Sequence, residues 1–303
     1  MSLPVYFSLW ERIWYYGFRL FCAAVFVFLI LPILIILPLS FNVEPYFTFT
    51  KGMLSLDPEA YSLRWYWDIL KNGMVDPNRP FGWEFIKDSW ANGQWIHSTK
   101  NSFIIAIGAT ILSTALGTLA ALGLSQPHMP ARNLMMSLLI SPMIVPLVIT
   151  SAGLFFFFSD IRLTGTYLGL ILAHAVLGTP FVVITVTATL VGFDRSLIRA
   201  GQNLGASPPT VFFRVVMPLI LPGVISGALF AFITSFDEVV AVIFLADYDQ
   251  RTIPRQMWSG IREQISPTIL AVATILVAIS ILLLASVELL RRRSERLRGM
   301  SPG

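Results

Sequence analysis

Long runs with few or no charges alternate with more polar segments along this chain. The runs are Phe18–Phe41, Asn101–Leu124, Leu134–Phe158, Thr166–Val191, Val215–Ala246 and Thr268–Leu290. A bilayer's hydrocarbon core, ~30 Å thick, takes ~20 helical residues to cross. Within it every backbone polar group must be paired inside the segment. The pattern therefore predicts an all-α integral membrane protein with six transmembrane helices. It divides the chain into an N-terminal segment 1–17, a first span 18–41, an outer loop 42–100, a core 101–291 and a tail 292–303.

The run interiors and margins refine this picture. Glu11, Arg12, Trp10, Trp14, Tyr15 and Tyr16 precede the first run and read as an interfacial aromatic belt. That run is too long for a signal peptide, and no small-residue cleavage site follows it. Gly108, Ala109, Gly117 and Gly123 in the second run are small enough to let helices approach closely in lipid. Pro142 and Pro146 interrupt the third run, His174 and Pro180 lie in the fourth, and Asp237 and Glu238 lie in the fifth.

The longest polar interruption in the C-terminal half, Leu197–Pro222, has the marks of two short helices joined by a tight turn. Asp194 can accept from the first amides of a helix starting near Arg195. Gly205 suits a left-handed stop. Ser207 can cap the next helix and Pro208 suits its first turn. Leu197, Ile198 and Leu204 fall near one face of the first helix.

Composition agrees with a membrane location: only 13% of residues are charged, against about 25% in soluble domains. The lone Cys22 excludes an intramolecular disulfide and any cysteine-based metal cluster. The connecting segments set the orientation. Gln126–Asn133 carries Arg132 and no acid. Phe193–Arg214 carries Arg195, Arg199 and Arg214 against Asp194. The tail carries Arg291, Arg292, Arg293, Arg296 and Arg298 against Glu295. The loop 42–100 has six Lys/Arg against seven Asp/Glu. The positive-inside rule then places both termini and the 197–222 segment in the cytoplasm, and the net charge of +4 needs no nucleic-acid partner.

No HExxH, GxSxG, cysteine pair or P-loop pattern is present, which ranks an integral membrane enzyme last. His97 and His128 are expected in loops on opposite sides and His174 in a span, so a histidine metal site is not expected. Two transport readings remain. One is transport driven by a separate ATPase; the other is an ion-coupled secondary transporter with Asp237 or Glu238 as the coupling carboxylate. An inverted repeat would favour the latter, and none is visible.

Leu204-Gly205-Ala206, then Pro218-Leu219 and Pro222-Gly223, resemble the cytoplasmic EAA loop of inner-membrane permeases of binding-protein-dependent ABC importers. Gly205 matches that loop's glycine and Ile220-Leu221-Pro222 its end. The acidic triplet departs, with Arg199, Ala200 and Gly201 in its place. Ser235–Leu245 (SFDEVVAVIFL), Ile253–Ile269 and SLRWYWDIL in the outer loop are similar to the spermidine/putrescine branch, in its C-type subunit. The resemblance implies a type I importer permease fold, with a cytoplasmic coupling helix at about 195–213 between spans 4 and 5. It implies two copies of a cytoplasmic ATPase that bind ATP and Mg, a second related permease subunit and a periplasmic binding protein. This chain itself would carry no cofactor and no enzymatic activity. The ATPase-docking positions would be Leu197, Ile198, Arg199, Ala200, Gly201, Gln202, Leu204, Gly205 and Ala206. Loop 42–100, longer than usual for the branch, is expected to cap the periplasmic face and help seat the binding protein.

Asp237 and Glu238 are costly in an apolar run and are expected to face a polar cavity or a partner. With Phe236 they make a candidate substrate-pathway site, where an ammonium can pair with charge and ring. An equally open reading pairs one acid with an arginine of a neighbouring helix or subunit.

Overall fold

The computed structural model describes residues 8–126, 128–263 and 266–297. In chain order the helices are α1 (Leu9–Leu39), α2 (Lys51–Leu54), α3 (Arg64–Lys71), α4 (Trp83–Asn92), α5 (Gln94–Leu124), α6 (Arg132–Ile144), α7 (Leu147–Asp160) and α8 (Tyr167–Val191). They continue with α9 (Ser196–Asn203), α10 (Pro208–Val211), α11 (Met217–Phe236), α12 (Val240–Leu245), α13 (Ile253–Glu263) and α14 (Thr268–Leu297). A π-helical turn, Phe212–Val216, joins α10 to α11.

Four stretches are long and apolar enough to cross a membrane: α1, α5, α8 and the segment Pro208–Phe236. The pair α6 and α7 passes the same test together but is bent by 101°. The last run is a shorter apolar helix over Thr268–Leu282. Of the expected six spans, four are found as continuous helices among the described residues, or five if the bent pair is counted as one; Thr268–Leu282 falls short of that length. The third run breaks where the sequence placed its prolines. Pro142 lies inside α6, and Pro146, which has no amide to donate, is the N-cap of α7. The fifth run is not one span: α11 ends at Phe236 and α12 begins at Val240. At the ends of the chain, α1 begins at Leu9 rather than near Phe18 and α14 runs on to Leu297. Residues 1–7 of the expected N-terminal segment 1–17, and 298–303 of the expected tail 292–303, lie outside the described residues.

The described chain divides into two compact units, Met1–Asn72 with Gly260–Gly303, and Gly73–Ser259. In the first, a capping box closes the start of α1: the Glu11 amide donates to Ser8 Oγ, and the Glu11 carboxylate accepts from the Ser8 amide at 2.7 Å. Beyond α1 the chain is knotted around buried Asn42. Its side chain donates to the carbonyls of Tyr46 and Thr48 and accepts from the Glu44 amide. Its own carbonyl accepts from the Trp65 indole at 2.6 Å. Asp68 on α3 accepts from the Thr268 hydroxyl at the start of α14, at 2.6 Å. The segment YSLRWYWDIL holds α3, with Trp65 buried.

The second unit is built on α5, α8 and α11. Their contact surface is made of small residues. A methyl group on Gly178 would lie 2.8 Å from Ser113 Oγ and 3.0 Å from Ala231 Cβ. One on Gly117 would lie 2.8 Å from Val182 Cγ1, and one on Gly227 would lie 2.8 Å from Val182 Cα. Ser113 adds a buried hydrogen bond across the interface, donating to the Ala175 carbonyl at 3.1 Å. Gly108 packs on Ile171, in keeping with its smallness, whereas Gly123 faces open space. The part of the expected outer loop that belongs to this unit is helical. Asp88 on α4 accepts from the amides of Val75 and Asp76 and from the Asn92 side chain. These bonds, that of Asn92 foremost, hold its carboxyl below the usual aspartate range. Trp95, buried in the first turn of α5, shows that the loop ends before Lys100.

Overpacking predicts a contrast between glycines. Gly178→Val should lower the thermal stability of the detergent-purified protein by ~1–3 kcal/mol. Gly123→Val should leave it unchanged, and equal melting of the two would contradict this packing.

Candidate functional site

Two clusters bring together the residues singled out from the sequence. The first surrounds α9. Asp194 accepts from the Ser196 amide at 2.8 Å and from the Ser196 hydroxyl at 2.7 Å, so it caps the helix one residue earlier than a standard N-cap. The hydroxyl bond first, and the amide bond after it, keep its carboxyl below the ordinary aspartate value. Gly205 ends the helix at φ +80°, in the left-handed region that favours glycine. Pro208 takes the first turn of α10. Ser207 stands at the cap position, but its hydroxyl pairs with that of Thr210 at 2.9 Å instead of with an amide.

The nine expected docking positions divide between two faces. Ile198, Gly201 and Ala206 are half-buried. Ile198 and Ala206 pack on the cluster of Val211, Val216 and Ile220. A methyl on Gly201 would lie 3.2 Å from Val211 Cγ2. Leu197, Arg199, Ala200, Gln202, Leu204 and Gly205 are exposed, Leu204 to 88%. The apolar triad read from the sequence thus splits: Ile198 holds α9 to the membrane helices, while Leu197 and Leu204 present apolar surface outward.

The second cluster lies at the break between α11 and α12. Asp237 is the C-cap of α11, so the pair does not sit on continuous helix. The two acids part company. Glu238 is buried at 7% exposure, and its Oε1 accepts from the Ala241 amide at 2.9 Å. It satisfies an orphan donor of α12. Arg255 completes the other end, donating from Nη1 to the carbonyls of Val242 (3.1 Å) and Ala246 (2.8 Å). Asp237 is exposed. Phe236 stacks on Phe232 at 5.6 Å and meets Phe103 edge-on at 5.3 Å. Beside it, buried Ser235 shares a 2.8 Å hydrogen bond with Nδ1 of fully buried His174. The histidine's Nε2 has no partner among the described residues.

The helix α12 is itself held by apolar packing of Ala241, Val242 and Leu245 on Phe158, Leu170 and Ala173. A third polar group follows it. His97 lies within α5 and not in a loop; its Nε2 donates to the Asp249 carbonyl at 2.8 Å. Asn101 donates to the carbonyls of Asp249 (2.8 Å) and Arg251 (2.9 Å) and accepts from the Tyr167 hydroxyl. Ser102 Oγ accepts from the Ile253 amide at 2.8 Å. Sequence reading missed Arg255, Asn101 and Ser102, whose roles depend on partners that no local spacing marks. The Glu238–Ala241 spacing, that of a side chain reaching an amide three residues on, was the one local signal.

Removing the cap should be visible as lost stability. Glu238→Ala should cost ~1–2 kcal/mol in thermal melting, with a smaller loss for Glu238→Gln, which keeps an acceptor oxygen. Asp237→Asn should leave the melting point in place. A loss of equal size in Asp237→Asn would contradict the division of roles.

Comparison with known proteins matches this architecture. Residues 113–296 match the family described as "Binding-protein-dependent transport system inner membrane component". The Spermidine/putrescine transport system permease protein PotC of Haemophilus influenzae is 27% identical over 275 residues, 91% of this chain and 96% of its own. The Sulfate transport system permease protein CysT of Salmonella typhimurium is 30% identical over 229 residues, 71% of this chain and 83% of its own. The fold resembles a crystal structure of a bacterial ABC transporter involved in the import of the acidic polysaccharide alginate. The TM-score is 0.65 at 15% identity, over 95% of this chain and 99% of that one. An all-helical membrane core matched over most of its length thus shows that this chain belongs to the binding-protein-dependent inner-membrane permeases, the non-enzymatic membrane subunits of ABC importers.

Proposed function

We propose that this chain is one of two permease subunits of an ATP-driven importer that carries polyamines or related small organic amines across the bacterial inner membrane. The observation that carries the substrate class is the match to a spermidine/putrescine permease over 91% of this chain; the sulfate permease matches over 71%. Family membership also removes support from the ion-coupled alternative, since the family works with a binding protein. ATP and Mg then belong to a separate ATPase present in two copies. A periplasmic binding protein brings the solute to the outer face, and both termini lie in the cytoplasm.

In this reading α9 is the coupling helix. Its exposed Leu197 and Leu204 supply the apolar contact with the ATPase, and Arg199 and Gln202 stand at the rim. Closure of the ATPase dimer on ATP moves α9, and the permease pair switches between inward-open and outward-open packings. Asp237 is the carboxylate available to a passing ammonium, with Phe236 beside it as a ring face. Glu238, committed to capping α12, holds the break that displays them.

Reconstitution with the ATPase, partner permease and binding protein tests this. Spermidine or putrescine uptake should be abolished by vanadate and indifferent to uncouplers. Uptake of sulfate in place of an amine would overturn the substrate class. Leu204→Glu should weaken co-purification of the ATPase by roughly tenfold or more, the effect of placing charge in an apolar contact. Asp237→Asn should lower amine uptake with the complex intact.

A further inference from the structure

The helix α9 is joined to the membrane helices by two unlike contacts. On one side Ile198 and Ala206 pack on the apolar cluster that leads through the π-helical turn into α11. On the other side stands Arg195. Its guanidinium donates to the Ser125 carbonyl, at the end of α5, and to Gln126 Oε1 at 3.4 Å. Between the two contacts is a cavity of about 280 Å³, walled by Leu122, Leu190, Phe193, Ile198, Val211 and Phe212. The coupling helix is therefore undercut, and its link across the gap to α5 is polar and directional.

What α5 does at its far end gives that link a meaning. The helix has 31 residues and no proline, a single rod of ~46 Å at ~1.5 Å per residue. Its outer turns hold the loop after α12 through His97, Asn101 and Ser102, by the hydrogen bonds to Asp249, Arg251 and Ile253. One continuous helix is thus bonded at its inner end to the coupling helix and at its outer end to the loop Asp247–Ile253.

We infer that Arg195 is a positioning residue that transmits displacement of α9 to α5, and through α5 to the outer loop Asp247–Ile253, with the cavity beneath α9 as its clearance. This rests on the reading of α9 as the ATPase-docking helix. Arginine suits such a link because its planar fork holds two acceptors in one geometry, and its charge lies at the negative end of α5. A lysine supplies the charge without the fork. The π-helical turn on the opposite side, a form common at functional sites in helices, lets α9 move against α11 without breaking the apolar contact.

The reconstituted full complex tests this through the ratio of amine taken up to ATP hydrolysed. Arg195→Ala should keep the ATPase bound and ATP hydrolysis within about twofold, while the ratio falls about tenfold, within the range of mutations that alter coupling between sites. Arg195→Lys should recover part of it. Leu122→Phe, which fills the cavity and leaves the tether alone, should lower the same ratio. Should Arg195→Ala fail to assemble, Gln126→Leu, which removes the side-chain acceptor only, should still lower the ratio. An unchanged ratio in these variants, with the complex intact, overturns the inference. Retention of the ATPase by Leu204→Glu would instead overturn the docking reading, so the two failures are distinguishable.

Discussion

Close approach of backbones at Val182 is the constraint on which this structure depends. In lipid, helices gain nothing by hiding apolar surface from one another, so their association rests on contact and on hydrogen bonds. Here Gly117 of α5 and Gly227 of α11 leave room for the same valine of α8, while Gly178 of α8 admits Ser113 and Ala231. Three helices therefore share one small-residue junction. What lies at its two ends, α9 at one and the α11–α12 break at the other, takes its position from that junction.

The gross architecture was legible because hydropathy and helical segments share one length scale. Uncharged runs of more than twenty residues marked the membrane helices, and Gly205 and Pro208 marked the turn after α9 through backbone rules that need no partner. Gly108 and Gly117 were recognisable as packing residues, but Gly123 was not distinguishable from them: which side of a helix faces a neighbour is a tertiary fact. The same limit hid the break in the fifth run. Phe236 to Val240 contains neither glycine nor proline, so no local rule ends a helix there. The end is enforced by Glu238 and Arg255 from opposite ends of α12, and by the apolar seat of that short helix.

The two acids also show why adjacent like residues need not share a role. A carboxylate buried beside free amides is retained by those amides, as with Glu238; its neighbour one position back remains available to other chemistry. α9 shows a parallel separation, with Ile198 turned to the protein and Leu204 to its surroundings. In both places a short element presents one residue outward by committing another to its own attachment.

The bend between α6 and α7 has a consequence for depth. Each limb, 13 and 14 residues long, reaches only ~20 Å at ~1.5 Å per residue, short of the ~30 Å a span requires. A hydrophobicity window of ~19 residues reads Leu134–Phe158 as one span. Neither limb can cross a bilayer alone. The two limbs meet at 101°, and Phe158 and Leu154 of the second are seated against α12. The apolar run that reads as a single crossing is thus used as two short limbs, and Pro146 stands between them.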